Sequence, residues 1–579
     1  MPNMIQNAKD SISQILNAAY QKAAEKGELP AGAALSGTVE IPKDSANGDF
    51  AANHAMAGAK ALHMAPRKIA ETLIANADLA DTWFASVEVA GPGFINFRLA
   101  DRWYADVLQA VTREGADYGR SDIGHGQKVM VEFVSANPTG PMHMGNARGG
   151  VLGDALASVL DRAGYQVWRE FYVNDAGNQI EKFANSIDAR YQQLLLGEEQ
   201  VAFPEDGYHG DDIKDLAKLF YEANGDKYLT VPVAERHQAM AEFGLQRNIP
   251  KMQEDLRRYG IEYDQWFFES ELHESGYVAE SVQKLTDRGY TYEKDGALWL
   301  KTSQILAEQL LKAGKKQEEI DKLELKDDVL RRANGFYTYF AADIAYHRNK
   351  LEKRGFDKAI KVWGADHHGH VARLKGAMDA LGLDGEHRLD IVLMQLVKLT
   401  RNGEVVRMSK RTGKAISLTD LLDEIPVDAA RYFFNSRPES PVEFDLELAI
   451  RQDSENPVYY VQYAHARICT LLSALAAEGH TVPASADAAL LSTPEEKELI
   501  KQLAALPEEI RLAARDYDPS RINRYVTELA ARFHRFYTVC RIKGAESDVQ
   551  AARLLLADCV RRVIAVSLGI IGVTAPEKM

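Results

Sequence analysis

The chain has 579 residues, which is more than a single hydrophobic core usually serves, so several domains are expected. Apolar residues make up 46%, as in an ordinary globular protein, and no apolar run reaches the roughly 18 residues that would indicate a membrane span. The formal net charge of −15 argues against a protein that binds nucleic acid over its whole surface, but it leaves room for a local basic footprint.

The cysteines and the first residues bear on the cellular compartment. Cys469, Cys540 and Cys559 lack CxxC spacing, which favours a reducing compartment and argues against a zinc site built from cysteines. The opening MPNMIQNAKDSISQIL has no apolar core of the kind that signal peptides need. We therefore expect a cytoplasmic protein that does not associate with membranes.

Residues 1–118 read as a small α+β module that begins with a helix over Ile5 to Ala24. Near its end, alternation along Phe94 to Leu99 predicts a strand with one wet face, which would carry Phe94 and Asn96. An exposed aromatic beside an amide is suited to stacking on and hydrogen-bonding an unpaired base. The alternative is an aromatic ring that covers a small core.

Residues 119–425 alternate between strand and helix patterns, which predicts a Rossmann-like parallel sheet in an α/β domain. The candidate strands cover residues 129–134, 167–173, 359–364 and 388–394. Residues from about 190 to 260 interrupt this alternation with polar, acidic, helical segments at Asp211 to Ala223 and Ala234 to Tyr259. We interpret them as an insertion between the two halves of the sheet.

The first strand leads through a loop with Pro138 and Gly140 into a helix that has an apolar stripe. Between them stand His143, Gly145 and Asn146. Donors at a helix N-terminus, beside a glycine that permits close backbone approach, make an anion site. The alternative is an ordinary connection with an incidental histidine.

Three further groups suit a positively charged ligand. Glu132, Ser135 and Asn137 lie at the end of the first strand, where ligands of doubly wound sheets bind. Tyr339 and Asp343 are four residues apart on one helical face, and together they offer a guanidinium a carboxylate and a hydroxyl. Glu269 stands among aromatic residues, where a carboxylate needs a cationic partner. Each alone could be an ordinary satisfied polar residue.

The segment from Gly364 to His370 follows a candidate strand and contains Asp366, His367 and His370. These residue types could ligate zinc. The position after a strand favours a ligand-binding crevice instead.

A hairpin that turns at Asn402-Gly403 leads into the sequence Arg407 to Lys414, RMSKRTGK. A serine, a threonine, a glycine and four cations on a short loop suit a polyphosphate. The spacing excludes a P-loop, which would need glycine at position 408 and serine or threonine at position 415. The alternative is a charged surface loop.

Residues 426–579 form the last predicted domain, and from about residue 455 the pattern is helical throughout. Basic and aromatic residues alternate there, among them Tyr463, Arg467 and Phe536, and this mixture suits unstacked RNA bases. The alternative is a solvated arginine face over an aromatic core.

The motifs resemble those of a known family. His143-Met144-Gly145-Asn146 resembles the His-x-Gly-His signature of class I aminoacyl-tRNA synthetases, and its flanks, SANPTGP and ARGGVLGDALA, resemble the arginyl-tRNA synthetase family of bacteria. Met408-Ser409-Lys410 resembles the second signature, Lys-Met-Ser-Lys-Ser. The departures are Asn146, Arg407 and Arg411. The resemblance extends over nearly the whole chain, from GDFA and GPGFIN to the ending LGIIGVTAP.

The resemblance implies a role for each candidate residue. Catalysis would rest on His143, Asn146 and Lys410, and ATP would contact His143, Gly145, Asn146, Gly364, Asp366, His367, Met408, Ser409 and Lys410. Arginine would contact Ser135, Asn137, Glu269, Tyr339 and Asp343, with the role of Glu132 left open. The tRNA would contact Phe94, Asn96, Tyr463, Arg467 and Phe536. ATP would arrive with Mg²⁺, and neither a protein-bound metal nor another tightly bound cofactor is expected.

The implied activity is ATP-dependent attachment of L-arginine to tRNA(Arg) through arginyl-adenylate, with release of AMP and diphosphate. The implied architecture is an N-terminal additional domain at 1–118, a catalytic domain at 119–425 and a helical anticodon-binding domain at 426–579. The family suggests a monomer without an obligate protein partner. Two other interpretations stay open: a class I synthetase for another amino acid, and a non-catalytic RNA-binding relative.

Overall fold

The computed structural model describes residues 3–364, 368–395, 397–406, 416–436 and 442–579. Among them, no helix combines the length and the apolar character that crossing a membrane requires. The N-terminal part is an antiparallel sheet of order β1-β2-β4-β3 with helices packed against it. Its elements are α1 (Met4–Glu25), β1 (Val39–Glu40), β2 (Phe50–Ala52), α2 (His54–Leu62), α3 (Pro66–Asn76), β3 (Phe84–Ala90), β4 (Phe94–Leu99) and α4 (Asp101–Glu114). The predicted first helix is α1, and the predicted strand is β4.

The wet face predicted for β4 is only partly present. Phe94 is exposed, but Asn96 is buried at 2% exposure. The loop before β2 explains this, because the backbone of Asp49 donates to Phe97 O at 2.8 Å and the position of Gly48 lies against the Cβ of Asn96. Asn96 is therefore covered by the chain's own loop in this conformation, and its contact with tRNA stays a prediction.

The middle of the chain is built on five parallel strands in the order β12-β11-β5-β6-β7. Its elements are β5 (Lys128–Glu132), α5 (Met144–Arg162), β6 (Gln166–Val173), α6 (Asn178–Leu196), α7 (Asp211–Asn224), α8 (Val233–Arg258), β7 (Gln265–Phe268), α9 (Glu269–Glu274), α10 (Tyr277–Asp287), β8 (Thr291–Lys294), β9 (Ala297–Leu300), α11 (Thr302–Lys312), α12 (Gln317–Ile320), β10 (Asp328–Arg331), α13 (Tyr339–Arg348), a π-helical turn (Asn349–Lys353), β11 (Lys358–Gly364), α14 (His368–Ala380), α15 (Gly385–Arg388) and β12 (Leu389–Met394).

All four predicted strands of this sheet are confirmed to within two residues. The strands are apolar because both faces are covered; Val129, Met130 and Val131 in β5 are all buried. From β5 the chain adds β6 and β7 on one side and β11 and β12 on the other. A crevice for ligands forms where the order reverses in this way, at the carboxyl ends of β5 and β11.

Two further units lie between the strands of the sheet. The predicted acidic helices are α7 and α8, and with α6 they enclose a separate small core around Phe183, Tyr191 and Phe220. A three-stranded antiparallel sheet of order β10-β9-β8 precedes α13 and was not predicted. Its strand β10 ends at Arg331, shortly before α13 begins at Tyr339, so this sheet supports the start of α13.

The last part of the chain is a linker region followed by a helical bundle. Its elements are β13 (Val397–Arg401), β14 (Glu404–Val405), α16 (Leu418–Glu424), α17 (Val427–Asn435), β15 (Val442–Asp445), α18 (Leu446–Ile450), α19 (Pro457–Ala477), α20 (Pro494–Asp516), α21 (Ser520–Val539) and α22 (Ser547–Ile570). The predicted hairpin is confirmed, because β13 and β14 pair across Asn402 and Gly403, both at positive φ. The helical pattern after residue 455 is confirmed by α19 to α22.

One fully buried arginine ties three of these parts together. Arg431 on α17 pairs with Asp154 on α5 at 2.5 Å. Its guanidinium also donates to the carbonyl oxygens of Tyr259 and Gly260 after α8, both at 3.1 Å, and to Ile571 O after α22 at 3.2 Å. A buried guanidinium with several acceptors holds their backbones in one arrangement, since leaving it unpaired would be costly.

This junction predicts a strong effect of one added methyl group. A Cβ at Gly572, where φ is +65°, would lie 2.0 Å from Nη2 of Arg431. We expect Gly572→Ala to displace the guanidinium and to cost about 3 kcal/mol through the broken buried pair. The measurement is thermal unfolding of the full chain.

Gly479→Ala is the matched control. Gly479 also has a positive φ, +90°, but has nothing within 4 Å of the added Cβ. The Gly479→Ala variant should lose only about 1 kcal/mol of unfolding free energy, because alanine disfavours a positive φ. Equal thermal midpoints for the two variants would contradict the role assigned to Arg431.

Candidate active site

Strand β5 ends in strained backbone at the edge of the crevice. Val134 and Ser135 adopt positive φ values of 66° and 44°, which are rare for residues with a Cβ and costly for a β-branched one. The turn makes the strand stop at Glu132, two residues before the predicted end. It also brings the Ser135 hydroxyl back to donate to Glu132 Oε1 at 2.9 Å, while the Tyr172 backbone donates to the Ser135 oxygen at 3.2 Å.

Glu132 is fully buried and ion-paired. Lys350 in the π-helical turn approaches Oε2 to 2.5 Å, and Lys361 on β11 approaches Oε1 to 3.2 Å. Desolvation alone would raise the pKa of Glu132, but the two lysines outweigh it and lower the pKa to about 2. The carboxylate of Glu132 therefore holds the two lysines and Ser135 in place beneath the crevice.

Asp343 is the second carboxylate in this network, and it faces the crevice. His370 Nε2 donates to its Oδ2 at 2.7 Å, His347 Nδ1 lies 3.1 Å from Oδ1, and Lys361 Nζ lies 3.7 Å from the same oxygen. Desolvation opposes ionisation, yet Lys361 and the two histidines hold the pKa of Asp343 well below its usual range. Asp343 is thus a carboxylate that stays charged although its surroundings are largely dry.

Glu269 supplies the third carboxylate, at the start of α9. The Tyr172 hydroxyl donates to its Oε2 at 2.8 Å, and Glu269 itself is 4% exposed. Desolvation raises the pKa of Tyr172 well above its usual value, and the charges of Glu269, Asp343 and Glu132 raise it further. All three carboxylates are therefore close enough to affect the Tyr172 hydroxyl, and they belong to one pocket around it.

Tyr339, the first residue of α13, lies half-exposed at the mouth of this pocket. Its ring packs over Gly177, where a Cβ would lie 3.6 Å away. Asp175, two residues earlier, accepts from the backbone and hydroxyl of Ser270, next to Glu269. The ends of β6 and β7 and the start of α13 thus form one wall, and the exposed Asn137 stands beyond the end of β5.

The pocket carries an excess of negative charge. Among the described residues, three carboxylates face two lysine ammonium groups, so these five groups leave one negative charge. Asp175 and His273, whose Nε2 lies 3.4 Å from Glu269 Oε1, are not included in this count. His347 does not cancel that negative charge, because desolvation and Lys350 lower the pKa of its buried ring and keep it neutral. A pocket of this kind favours a ligand with one positive charge, which restores neutrality on binding.

The residues of the predicted anion site stand at the N-terminus of α5. His143 is the N-cap residue, and its backbone N–H donates to Oδ1 of Asn146 at 3.0 Å, which orients that side chain. The His143 ring lies over Gly145, where a Cβ would come within 3.3 Å of it. Desolvation lowers the pKa of His143, so the ring is neutral at pH 7 and offers an N–H donor without a charge.

The first predicted nucleotide element contacts the chain just after the second one. His143 pairs with Ser417 in an isolated β-bridge, and the Leu418 backbone donates to Met142 O at 2.8 Å. Ser417 stands two residues after the segment 407–415, which lies outside the described residues together with its Met408, Ser409 and Lys410. Gly364 ends β11 at the same edge of the sheet; Asp366 and His367 also lie outside the described residues.

The three residues of the bundle that were predicted to contact tRNA differ in their exposure to solvent. Tyr463 is 40% exposed, and the Arg467 guanidinium lies 4.0 Å from the ring centroid of Tyr537. Phe536 is fully buried, since it shares the apolar stripe of α21 with Leu529 and Phe533. In this conformation the ring of Phe536 does not reach solvent, whereas the ring of Tyr537, one residue later, is partly exposed. The contact of Phe536 with tRNA stays a prediction.

Several residues of the site were missed by the sequence analysis. Lys350, Lys361, Tyr172, His347 and His370 all contact its carboxylates, and all five are buried or partly buried. The sequence does contain a signal for Lys361, which is its position among apolar residues. Lys361 stands between Ile360 and Val362 in an otherwise apolar strand, where a cation requires an acidic partner.

Comparison with known proteins assigns the fold and its crevice. Residues 107–442 match the family model for tRNA synthetases class I (R), catalytic domain, so the crevice at β5 and β11 is that of a class I aminoacyl-tRNA synthetase. Residues 6–99 match the arginyl tRNA synthetase N terminal domain, and residues 461–579 match the DALR anticodon binding domain. The chain belongs to the arginyl-tRNA synthetase family, which confirms the resemblance of its motifs.

Relatives and a solved structure agree over the full length. The chain is 52% identical to the arginine–tRNA ligase of Acetivibrio thermocellus and 54% identical to that of Caldanaerobacter subterraneus subsp. tengcongensis, each covering 100% of both chains. The structure of Thermus thermophilus arginyl-tRNA synthetase superposes with a TM-score of 0.72 at 21% identity, covering 97% of this chain and 99% of that one. This likeness shows that the fold is shared.

The buried ion pair of Glu132 and Lys350 predicts a loss of stability when one partner is removed. We expect Lys350→Met to cost about 3–5 kcal/mol at pH 7, because it leaves Glu132 charged without its nearest cation. The double variant Lys350→Met/Glu132→Gln should recover part of this loss. Urea unfolding of both variants and the wild type measures the effect.

The pH dependence of this loss has a definite sign. The pKa of Glu132 in the folded protein, about 2, lies below its ordinary value of 4.5, so its contribution is present above pH 4.5 and is lost as the pH falls toward 2. The difference between wild type and Lys350→Met should therefore shrink in that window. A difference that stays constant from pH 7 to pH 3 would contradict the assignment.

Proposed function

We propose that this protein attaches L-arginine to tRNA(Arg) in two steps, using ATP with Mg²⁺. The observation that carries the proposal is the excess of negative charge among Glu132, Glu269, Asp343 and their two lysines, beside an anion-binding helix N-terminus. A cationic amino acid and a polyphosphate need these two environments next to each other. Membership of the family supports the same choice.

In the proposed complex, the guanidinium of arginine binds Asp343 and Glu269, with the Tyr339 hydroxyl at the mouth. Ionised carboxylates accept parallel N–H bonds from a guanidinium, and these bonds are stronger than those between neutral groups. Ser135 and Asn137, at the end of β5, hold the α-amino end. This orientation directs the α-carboxylate of arginine toward the N-terminus of α5.

The first step is an attack of the arginine carboxylate oxygen on the α-phosphorus of ATP. A phosphorus–oxygen bond forms, the bond to the β-phosphate oxygen breaks, and diphosphate leaves. His143, Asn146 and the backbone of Gly145 donate hydrogen bonds to the phosphates, and Lys410 with Met408 and Ser409 supplies the second anion contact. Mg²⁺ neutralises phosphate charge as part of the ATP complex. Gly364, Asp366 and His367 bind the adenosine.

In the second step, the terminal ribose 2′-hydroxyl of the tRNA attacks the arginyl carbonyl carbon, and AMP leaves. No protein nucleophile takes part, so the protein acts by positioning and by charge stabilisation. Phe94 on the N-terminal domain and Tyr463 with Arg467 on the bundle are the proposed tRNA contacts. The proposed domains are 1–118 for the outer corner of the tRNA, 119–425 for catalysis and 426–579 for the anticodon. We propose a cytoplasmic monomer.

The test is an aminoacylation assay with total tRNA and each of the twenty amino acids in turn. The proposal predicts that arginine alone is attached to tRNA and that attachment requires ATP. Attachment of a different amino acid would support the synthetase of another specificity. Absence of any ATP-dependent attachment would support the non-catalytic RNA-binding relative.

The charge of Asp343 predicts the outcome of one isosteric change. Asp343→Asn keeps the shape but places a donor where the guanidinium offers only donors. A lost charge-assisted hydrogen bond is worth about 1.5–3 kcal/mol, so kcat/KM for arginine should fall roughly 10- to 150-fold. The KM for ATP should hardly change. Steady-state aminoacylation kinetics measure both.

Citrulline, the neutral isostere of arginine, is the control ligand. The wild-type carboxylate penalises its carbonyl oxygen, whereas the asparagine amide can donate to that oxygen. Discrimination between arginine and citrulline should therefore narrow in Asp343→Asn. Unchanged kcat/KM for arginine would remove Asp343 from the pocket and leave it a structural residue of α13.

A further inference from the structure

The carboxylate of Asp343 is contacted by a histidine that has no assigned role. His370, in the first turn of α14, brings its Nε2 to 2.7 Å from Asp343 Oδ2. The ring is held between two aromatic side chains, with its centroid 5.2 Å from that of Phe340 and 5.5 Å from that of Trp363. These contacts fix the plane of the imidazole. Whether Nε2 carries a proton therefore decides whether Asp343 receives a hydrogen bond from the ring.

The other ring nitrogen of His370 faces a guanidinium. Arg373 Nη2 lies 3.1 Å from His370 Nδ1. A guanidinium can only donate hydrogen bonds, so Nδ1 must be the accepting, unprotonated nitrogen. The proton of the ring is therefore on Nε2, and the ring is neutral.

Arg373 is itself anchored away from the pocket. Its Nη1 donates to Asp328 Oδ1 on β10 at 2.6 Å, and Asp328 Oδ2 accepts from the Thr302 hydroxyl at 2.8 Å. The guanidinium carbon also lies 5.6 Å from the ring centroid of Phe340. Among the described residues, Arg373 contacts none of the proposed substrate-binding side chains directly.

The protonation of His370 matters because of the charge balance of the pocket. A neutral ring gives Asp343 a hydrogen bond and leaves its negative charge available to a guanidinium. A protonated ring at the same 2.7 Å would form a complete ion pair with Asp343 and cancel the charge that arginine needs.

We propose that Arg373 is a positioning residue for amino-acid specificity. By donating to Nδ1 it keeps His370 neutral, so that Asp343 remains a negatively charged acceptor for the side chain of arginine. The inference rests on the proposed function, since it assumes that the arginine guanidinium binds at Asp343.

Within the described part of the chain, the charged and titratable groups that contact His370 or its two partners come from four elements. Arg373 lies on the same helix as His370, and Asp343 contacts His370 from α13. His347 on α13 and Lys361 on β11 contact Asp343, and Asp328 on β10 contacts Arg373. The two carboxylates favour a protonated ring, whereas Arg373 and Lys361 oppose it. Removing Arg373 takes away the donor that faces Nδ1, so that this nitrogen no longer has to be the accepting one.

The test is the pH profile of the arginine KM in aminoacylation by Arg373→Met. The ratio of the variant KM to the wild-type KM should be near one at pH 8.5 and should rise about tenfold at pH 6, with kcat little changed at saturating arginine. The rise follows because a protonated His370 competes with arginine for Asp343 at low pH. Loss of a merely structural contact would raise KM equally at both pH values.

His370→Gln provides the control background. The glutamine amide can donate to Asp343 from nearly the position of Nε2, but it cannot be protonated. Adding Arg373→Met to His370→Gln should therefore produce no further pH dependence, although Asp328 loses the same partner as in the single variant. A pH-dependent rise that persists in this background would overturn the role assigned to His370.

A second variant covers the case in which Arg373→Met does not fold. Arg373→Gln removes the charge and can turn its amide oxygen toward a protonated Nδ1, so it should show the same low-pH rise in KM. A flat ratio in every Arg373 variant, with arginine still attached by the wild type, would overturn only this inference. A wild-type protein that attaches no arginine to tRNA would overturn the proposed function itself.

Discussion

Two lysines allow three carboxylates to share one nearly dry pocket. Glu132, Asp343 and Glu269 would each be costly to bury as anions, and their mutual repulsion would add to that cost. Lys350 and Lys361 offset both effects for Glu132, and Lys361 extends the pairing to Asp343. Glu132 and Asp343 are therefore ionised before any ligand arrives, and such charge favours a cationic ligand.

The architecture brings these charges together from distant parts of the chain. Glu132 ends β5, Lys361 lies on the adjacent strand β11, Lys350 lies in the π-helical turn after α13, and Glu269 begins α9 after β7. All stand at or beneath the carboxyl edge of the parallel sheet. The neighbouring helix α5 carries His143 at its N-terminus, and it is anchored by Arg148 to Gln395 O at 2.6 Å and by Asp154 to Arg431. The N-terminus of α5 and the carboxylate cluster thus lie at one edge of the sheet.

The sequence predicted the fold better than it predicted the pocket. Strands such as 129–134 and 359–364 were visible because burial on both faces makes them apolar, and the helices of the bundle because of their periodic stripes. The acidic residues were found through the family's motifs. The cations were not, because pairing of Lys361 with Glu132 depends on strand order, and the contact of His370 with Asp343 depends on how α14 packs against α13.

Two residues that were predicted to be exposed are buried in the structure. Alternation placed Asn96 on a wet face, but the loop at Gly48 covers it. The mixture of basic and aromatic residues favoured Phe536 as an RNA contact, but Phe536 lies on the face of α21 that packs into the core. In both cases the local pattern predicted the strand or helix correctly, but the exposure of the side chain depended on tertiary packing.

Asp343 is already ionised before arginine binds. Calorimetric titration of the protein with arginine at pH 7, repeated in buffers of different ionisation enthalpy, measures the protons exchanged on binding. An ionised Asp343 beside a neutral His370 predicts no net proton uptake or release. Exchange of about one proton per arginine would contradict the account, because one of these groups would then have to change its protonation state to accept the ligand.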